Sequence, residues 1–232
     1  MKTFDQRLAQ LRNDLLTQGQ RVEDMVTRAV DCCFLPDRDR ARQQAEALID
    51  SDEVIDRVDV EIERACVPLL AMGVTDEHLI RSVLTIVKVN NELERVADCA
   101  VNIAEAVQDY DEENLDIPPT FRVMANSVIG IVRDTVRALG DRDVKLAQQV
   151  LGFDDAVDRF KREITLDAQR RVASSEFHNR FAFHLIVITK SLERMADHCT
   201  NICEQVIYLE SGMIVRHLPT GWTEPQPPRF DK

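Results

Sequence analysis

Aromatic residues are scarce in this chain, and so are the residues that interrupt helices. Only 5% of the 232 residues are aromatic, and the chain has 7 Gly and 8 Pro. A composition with few helix breakers and many Glu, Arg, Ala, Leu and Gln residues favours long helices. No alternation of apolar and polar residues extends beyond a few positions, so we expect no β-sheet.

Long apolar runs are also missing. The longest mostly apolar stretch, residues 181–189, is much shorter than the roughly 20 residues that a membrane-spanning helix needs. The first residues lead directly into an amphipathic pattern and do not resemble a signal peptide. We therefore expect a cytoplasmic protein without a transmembrane segment, which would associate with a membrane only through its partners.

Positively charged residues are in the minority. The chain has 29 Lys and Arg against 41 Asp and Glu, a formal net charge of −12. An acidic surface repels phosphate backbones and anionic lipids, which disfavours nucleic-acid binding and is compatible with metal ions or polycationic partners. The six cysteines mostly lie in helical patterns, so we expect them to be small core residues in a reducing compartment.

The apolar periodicity predicts six helices in two sets of three. The first set covers Phe4 to about Pro36, about 38–71 and about 75–107, and the second covers about 121–139, 141–173 and 176–211. Gly140 and Gly212 are expected to end helices, and residues 108–120 form an acidic linker with two prolines. We therefore predict an all-α protein of two tandem, sequence-related, antiparallel three-helix bundles. The predicted domains are 1–112 and 113–217, followed by an extended proline-rich tail at 218–232.

One block of sequence occurs twice. Residues 93–105 (LERVADCAVNIAE) return 99 positions later as residues 192–204 (LERMADHCTNICE), with eight of thirteen positions identical. A duplicated block at a fixed offset indicates two copies of one supersecondary unit. The identical positions include every carboxylate and the Asn, so the repeat bears on function as well as on packing.

Four polar residues that are identical in both copies of the block lie along one flank of each helix. At about 100° per residue, the four positions fall within a sector about 80° wide, beside the apolar seam. A neighbouring helix can therefore meet them. The positions are Glu94, Asp98, Asn102 and Glu105 in the first copy and Glu193, Asp197, Asn201 and Glu204 in the second.

The preceding helix of each set supplies a second row of polar residues. In the first set this row is fully acidic, whereas in the second set a lysine and a threonine replace two carboxylates. The first row is Asp52, Asp56, Asp59 and Glu63, and the matching positions 102 residues later are Asp154, Asp158, Lys161 and Thr165.

Facing rows of carboxylates repel each other, and the repulsion grows as the local dielectric falls. Multivalent cations would offset it, and hard oxygen ligands favour ions such as Mg, Ca, Mn or Fe, with Zn a further candidate. The simpler alternative is a solvated helix face on which Arg95 or Arg194 pairs with the carboxylates. Duplication of the pattern on two neighbouring helices favours the metal site.

His198 stands beside Asp197, but its counterpart in the first copy is Cys99. His198 is therefore not part of a duplicated site, and we expect it at the surface or in a supporting position. The chain has no Gly-rich phosphate loop, no nucleophile elbow and no Glu-x2-His pattern of the kind that di-iron bundles use, which argues against oxygen chemistry.

Two bundles with Glu/Asp-x3-Asp rows on neighbouring helices resemble the PhoU family, the accessory regulators of phosphate-specific transport. The resemblance covers about residues 1–217, including the repeated block and the closing residues 212–217. The chain departs from the family pattern at Cys99, where the block more often has His, and at Lys161 and Thr165 in the second acidic row.

The resemblance implies a non-enzymatic, often homodimeric regulator that restrains phosphate uptake and phosphate-starvation signalling. The implied partners are the ATPase subunit of the phosphate ABC importer and the membrane sensor histidine kinase. It also implies divalent or trivalent metal ions at carboxylate sites, with Asn102 and Asn201 as weaker candidates behind the ligands. The implied ligands are Asp52, Asp56, Glu94 and Asp98 in the first bundle and Asp154, Asp158, Glu193 and Asp197 in the second.

Two other functions stay open on the sequence alone. A bundle metalloenzyme, such as a metal-dependent phosphohydrolase with paired metals, would use the same carboxylates, although no general acid or nucleophile stands out. A purely structural helical scaffold would need no metal at all.

Overall fold

A computed structural model of the chain describes residues 3–109 and 117–215, with every side chain in those ranges except that of Asp154. Within these ranges every regular element is an α-helix, which confirms the all-α prediction. The helices are α1 (Phe4–Phe34), α2 (Arg38–Leu70), α3 (Glu77–Asp109), α4 (Pro119–Asp141), α5 (Val144–Leu151), α6 (Asp154–Ala173) and α7 (Asn179–Ser211).

The helices pack as two three-helix bundles. In the first bundle, α3 packs against both α1 and α2. In the second, α7 packs against α4, and α5 and α6 together take the place of one long helix. The two bundles therefore repeat one plan.

Helix ends near the repeated blocks follow from local chemistry. Before α3, the side chain of Asp76 accepts a 2.9 Å hydrogen bond from the main-chain N–H of Leu79. After α7, Gly212 has a φ of +73°, and a Cβ atom there would lie 3.0 Å from the guanidinium of Arg81. Glycine tolerates both constraints, so the predicted end of α7 is confirmed.

The predicted single helix over 141–173 is wrong. The N–H of Gly152 turns back to the carbonyl oxygens of Gln148 and Gln149, and α6 then starts after Phe153 without a side-chain cap. Glycine has the lowest helix propensity of any residue except proline. A break at Gly152 therefore separates α5 from α6, immediately before Asp154.

The expectation that Gly140 ends a helix is also wrong, because α4 continues to Asp141. Gly140 instead lies where α4 meets α1, and a Cβ atom there would be 3.1 Å from Cδ1 of Leu16. On the facing side, a Cβ atom at Gly19 would lie 3.4 Å from the methyl groups of Val136. The two glycines allow these helices to approach closely.

The two bundles share one continuous hydrophobic core, in which α3 runs antiparallel to α7. Near one end of this pair, Arg180 donates a 2.5 Å hydrogen bond to the main-chain oxygen of Asp109. Near the other end, the guanidinium of Arg81 lies 5.4 Å from the ring centroid of Tyr208. The repeated blocks are therefore held against each other along both helices.

The six cysteines are buried, as predicted for core residues. Burial raises the pKa of Cys66 to about 11 and that of Cys33 to about 12, so these thiols are protonated and unreactive near neutral pH.

Three predictions concern segments that the structure does not describe. Most of the acidic linker, the domain boundary between 112 and 113, and the proline-rich tail at 218–232 lie outside the described residues. Among the helices that the structure does describe, none is long and apolar enough to cross a bilayer.

Two glycine substitutions should change stability in opposite directions. Gly130 lies inside α4 with open space around a Cβ atom, so Gly130→Ala should raise the free energy of unfolding by about 0.5–1 kcal/mol. Gly212→Ala should lower it by about 1–2 kcal/mol, because alanine resists a positive φ and would crowd Arg81. Urea unfolding followed by circular dichroism measures both changes. A Gly212→Ala protein as stable as the wild type would contradict this account of the helix end.

Candidate metal sites

In the first bundle, the predicted carboxylates lie on the facing flanks of α2 and α3. Asp52 and Glu94 are half-buried, whereas Asp56 and Asp98 are exposed. A fifth carboxylate, Asp59, is also half-buried beside them. The sequence therefore places one acidic group on each helix at the edge of the core and a second one in solvent.

The charges of these carboxylates interact. Burial, followed by the charges of Asp56 and Asp98, raises the pKa of Asp52 from 3.8 to about 6. Burial also raises the pKa of Glu94, and among the neighbouring charges Asp98 raises it most, followed by Asp59 and Asp56. Carboxylates from the two helices thus oppose each other's ionisation, which is the repulsion that the sequence predicts.

One polar contact joins α3 to the next turn of α2. Asn90, which is 2% exposed, donates from Nδ2 to both the main-chain oxygen of Asp59 at 2.9 Å and its Oδ1 at 2.6 Å. Burial is the main cause that raises the pKa of Asp59, and the charges of Glu63 and Asp56 raise it further. The hydrogen bond from Asn90 acts against this shift. Asn90 therefore ties α3 to the acidic row of α2.

In the second bundle, a lysine side chain lies among the carboxylates. Nζ of Lys161 donates a 2.7 Å hydrogen bond to Oε1 of Glu193, and this bond raises the pKa of Lys161. The charges of Asp158 and Asp197 also raise the pKa of Lys161. A lysine thus partly neutralises the second acidic row, as its lower acidity in the sequence suggests. The side chain of Asp154 lies outside the described residues.

The two predicted supporting amides have different partners. Nδ2 of Asn102 donates to the main-chain oxygen of Asp98 at 2.7 Å, within its own helix. Nδ2 of Asn201 donates to Oε2 of Glu92 at 3.0 Å, across the contact between α7 and α3. Neither bond joins a predicted carboxylate ligand through its side chain.

His198 is buried, 8% exposed, so of the two expected positions, at the surface or in a supporting position, the surface is excluded. Its Nδ1 lies 2.8 Å from Oε2 of Glu92. Burial acts to raise the pKa of Glu92, but the hydrogen bonds from His198 and Asn201, together with the charges of His198 and Arg95, lower the pKa overall. Glu92 is therefore ionised and acts as the acceptor for both side chains.

Glu92 is a half-buried charged residue that the sequence reasoning missed. Its counterpart in the second repeat is Ser191, so no duplicated pattern marks it. The only available signal is the run of polar residues at 90–92 directly before the repeated block.

The donor chemistry of the first bundle fits a hard metal ion, because the carboxylates are oxygen ligands that repel each other and are partly desolvated. In the conformation described for residues 3–109 and 117–215, no three His, Cys, Asp or Glu side chains converge to coordinate one ion. Coordination therefore requires side-chain rotation, which exposed Asp56 and Asp98 permit. The second bundle fits less well while Lys161 holds Glu193.

Neutralising Asp52 should stabilise the metal-free protein. Its pKa in the folded protein lies above its ordinary value, so ionisation destabilises the fold above pH about 6, and the penalty disappears as pH falls below 3.8. A shift of this size corresponds to about 3 kcal/mol at most, and solvent screening of a half-buried group reduces the expected gain to about 1 kcal/mol. Asp52→Asn should therefore raise the Tm in EDTA at pH 7.5 by about 2–4 °C, and by close to nothing at pH 4.

Asp50→Asn is the matched control, because Asp50 is exposed on the same helix. Thermal unfolding at both pH values measures both variants. If the two variants shift the Tm equally at pH 7.5, the acidic row carries no electrostatic strain.

Comparison with known proteins gives a consistent result over both repeats. The family model described as the PhoU domain matches residues 15–107 and again residues 121–206. The two matched segments correspond to the two bundles, which confirms the prediction of two sequence-related units.

Individual relatives match the chain over nearly its whole length. A phosphate-specific transport system accessory protein PhoU homolog from Clostridium acetobutylicum is 31% identical over 214 residues, 91% of this chain and 95% of the relative. PhoU homolog 1 from Thermotoga maritima is 29% identical over 220 residues, 94% of this chain and 93% of the relative. These relatives are named as accessory proteins, which agrees with the prediction of a non-enzymatic protein.

The fold agrees with a solved structure as well. The crystal structure of the phosphate transport system regulatory protein PhoU from Streptococcus pneumoniae superposes with a TM-score of 0.84 at 26% identity, covering 93% of this chain and all of that one. Since the family model matches most of the chain, twice, and the helical architecture coincides, this protein belongs to the PhoU family.

Proposed function

We propose that this protein is a metal-binding regulatory adaptor that restrains phosphate uptake and phosphate-starvation signalling in the cytoplasm. The observation that carries the proposal is the PhoU domain match in both halves of the chain. Relatives are named as accessory proteins of the phosphate-specific transport system. The acidic rows of the first bundle add the physical basis for cation binding.

The proposed partners are the ATPase subunit of the phosphate ABC importer and the membrane sensor histidine kinase, and the proposed assembly is a homodimer. An adaptor of this kind needs a defined surface more than a catalytic group. The continuous core that joins both bundles makes the surface a defined one, because it fixes the relative positions of the two acidic flanks.

The proposed metal ligands in the first bundle are Asp52, Asp56, Glu94 and Asp98. A bound cation would supply positive charge that relieves the repulsion between α2 and α3. The side chains themselves set the affinity: half-buried Asp52 and Glu94 are partly desolvated before binding, and exposed Asp56 and Asp98 are free to reorient.

In the second bundle, Asp154, Asp158, Glu193 and Asp197 are proposed as a weaker site. Lys161 already donates to Glu193, so a cation would have to displace a 2.7 Å charge-assisted hydrogen bond. The candidate metals are Mg, Mn, Fe and Zn, and the two bundles are expected to hold unequal amounts.

Metal analysis of protein purified without an affinity tag tests the sites. Asp52→Asn/Asp98→Asn should lose most of the bound metal, whereas Asp158→Asn/Asp197→Asn should lose a smaller fraction. Lys161→Asp should raise the metal content, because it restores the residue type that the first bundle has at Asp59. Elemental mass spectrometry measures all three variants.

The control is Asp50→Asn/Glu105→Gln, which removes two exposed charges from the same helices outside the proposed ligand set. Full metal retention in Asp52→Asn/Asp98→Asn would refute the site and leave the fold and family unaffected.

The regulatory role is tested in cells. Deleting the gene should raise a phosphate-starvation reporter at least several-fold in phosphate-rich medium, and the wild-type gene should reverse this increase. Unchanged reporter activity in the deletion strain would count against the proposed function.

A further inference from the structure

A cleft outside the proposed metal ligands lies where α2, α3 and α7 meet. Its volume is roughly 610 Å³. Four carboxylates line it: Asp59 and Glu63 from α2, Glu92 from α3 and Glu204 from α7. The cleft is therefore bordered by both bundles, and it collects negative charge from three helices.

Two buried amides in the lining have an oxygen without a hydrogen-bond donor. Oδ1 of Asn90 and Oε1 of Gln205 accept no hydrogen bond in the described structure. The residues are 2% and 5% exposed, and both line the cleft. The orientation of the Asn90 amide is fixed, because Nδ2 donates twice to Asp59. A buried acceptor without a partner costs about 1–3 kcal/mol, so a ligand that donates hydrogen bonds would be favoured here.

The charge of the lining selects a cation. One lysine, Lys88, also borders the cleft, and its Nζ lies 5.6 Å from the ring centroid of Tyr208. One positive charge against four carboxylates leaves the lining net negative. A ligand must therefore bring positive charge together with several N–H donors and few acceptors.

Size separates the candidate cations. The acceptors of this lining come from three helices around roughly 610 Å³, a space much larger than a single metal ion fills. The cleft also has room for many water-sized groups, since a water molecule occupies about 30 Å³ of liquid. An alkyl chain with ammonium groups at intervals matches acceptors that are spread over three helices. Each terminal ammonium offers three N–H donors, as lysine does, each internal one offers two, and none is an acceptor. Val87 and the alkyl stem of Lys88 provide apolar surface for its methylene groups.

We propose that the cleft between α2, α3 and α7 binds an aliphatic polyamine, with its ammonium groups donating to Glu63, Glu204 and the amide oxygens of Asn90 and Gln205. This site shares no residue with the proposed metal ligands and does not depend on the proposed regulatory function. Because the lining comes from both bundles, a bound polyamine would bridge them.

Calorimetric titration of the full-length protein with spermidine, in EDTA and low salt, tests this proposal. Glu63→Gln removes an exposed charge and Gln205→Met removes the acceptor at similar volume. Each variant should weaken spermidine binding about three- to tenfold. Glu61→Gln should change it less than twofold, because Glu61 is exposed on the α1 side of the same helix. Circular dichroism confirms that each variant is folded.

Three outcomes would overturn the proposal. Equal affinity in wild type, Glu63→Gln and Gln205→Met would show non-specific attraction to an acidic protein. In a buffer without EDTA, tighter binding of Mg²⁺ than of spermidine, lost in the same two variants, would assign the cleft to a hydrated metal ion. Tighter binding of an unstructured peptide with two lysines would assign it to a partner protein. Retained spermidine binding in Asp52→Asn/Asp98→Asn separates this site from the metal site.

Discussion

The antiparallel packing of α3 against α7 is the contact on which the rest of the structure depends. Each of these helices carries one copy of the repeated block, and each contributes small residues such as Ala97, Ala100, Ala196 and Cys199 that are fully buried. Small side chains allow two helix backbones to approach closely. Once this pair is fixed, the outer flank of α3 must face α2 and the corresponding flank of α7 must face α6. The acidic rows lie on these flanks because the apolar faces of both helices are buried in the core.

The two repeats share a backbone plan and differ in electrostatics. In the first, carboxylates on α2 and α3 oppose each other's ionisation. In the second, Lys161 relieves the same opposition by an internal hydrogen bond to Glu193. The break at Gly152 also places Asp154 at the start of a helix, whereas Asp52 lies within one. Similar sequences thus give one strained flank and one relieved flank.

The sequence predicted the parts of this structure that depend on periodicity and repetition. Steps of three and four between apolar residues identify the long helices, and the duplicated block identifies the related bundles. The break at Gly152 and the role of Gly140 were not predictable in the same way, because a glycine inside a helical pattern can end a helix or allow a close approach. Only the position of Leu16 distinguishes the two at Gly140. The burial of His198 depends on Glu92, which lies 106 positions away in the chain. Such a pair carries no local signal, and the cleft beside it combines residues from three helices.

The pairing of Glu92 with His198 also bears on the history of the chain. An ancestral unit with a single repeat would have to bury the same face against an identical copy, and in a symmetric pair every position appears on both sides. The positions equivalent to Glu92 and His198 in the other repeat are Ser191 and Cys99. Joining two copies in one polypeptide removes the requirement for symmetry. Each half can then acquire residues that the other half lacks. The acid–imidazole pair is such a contact: it occurs once here, whereas a symmetric homodimer would contain it twice.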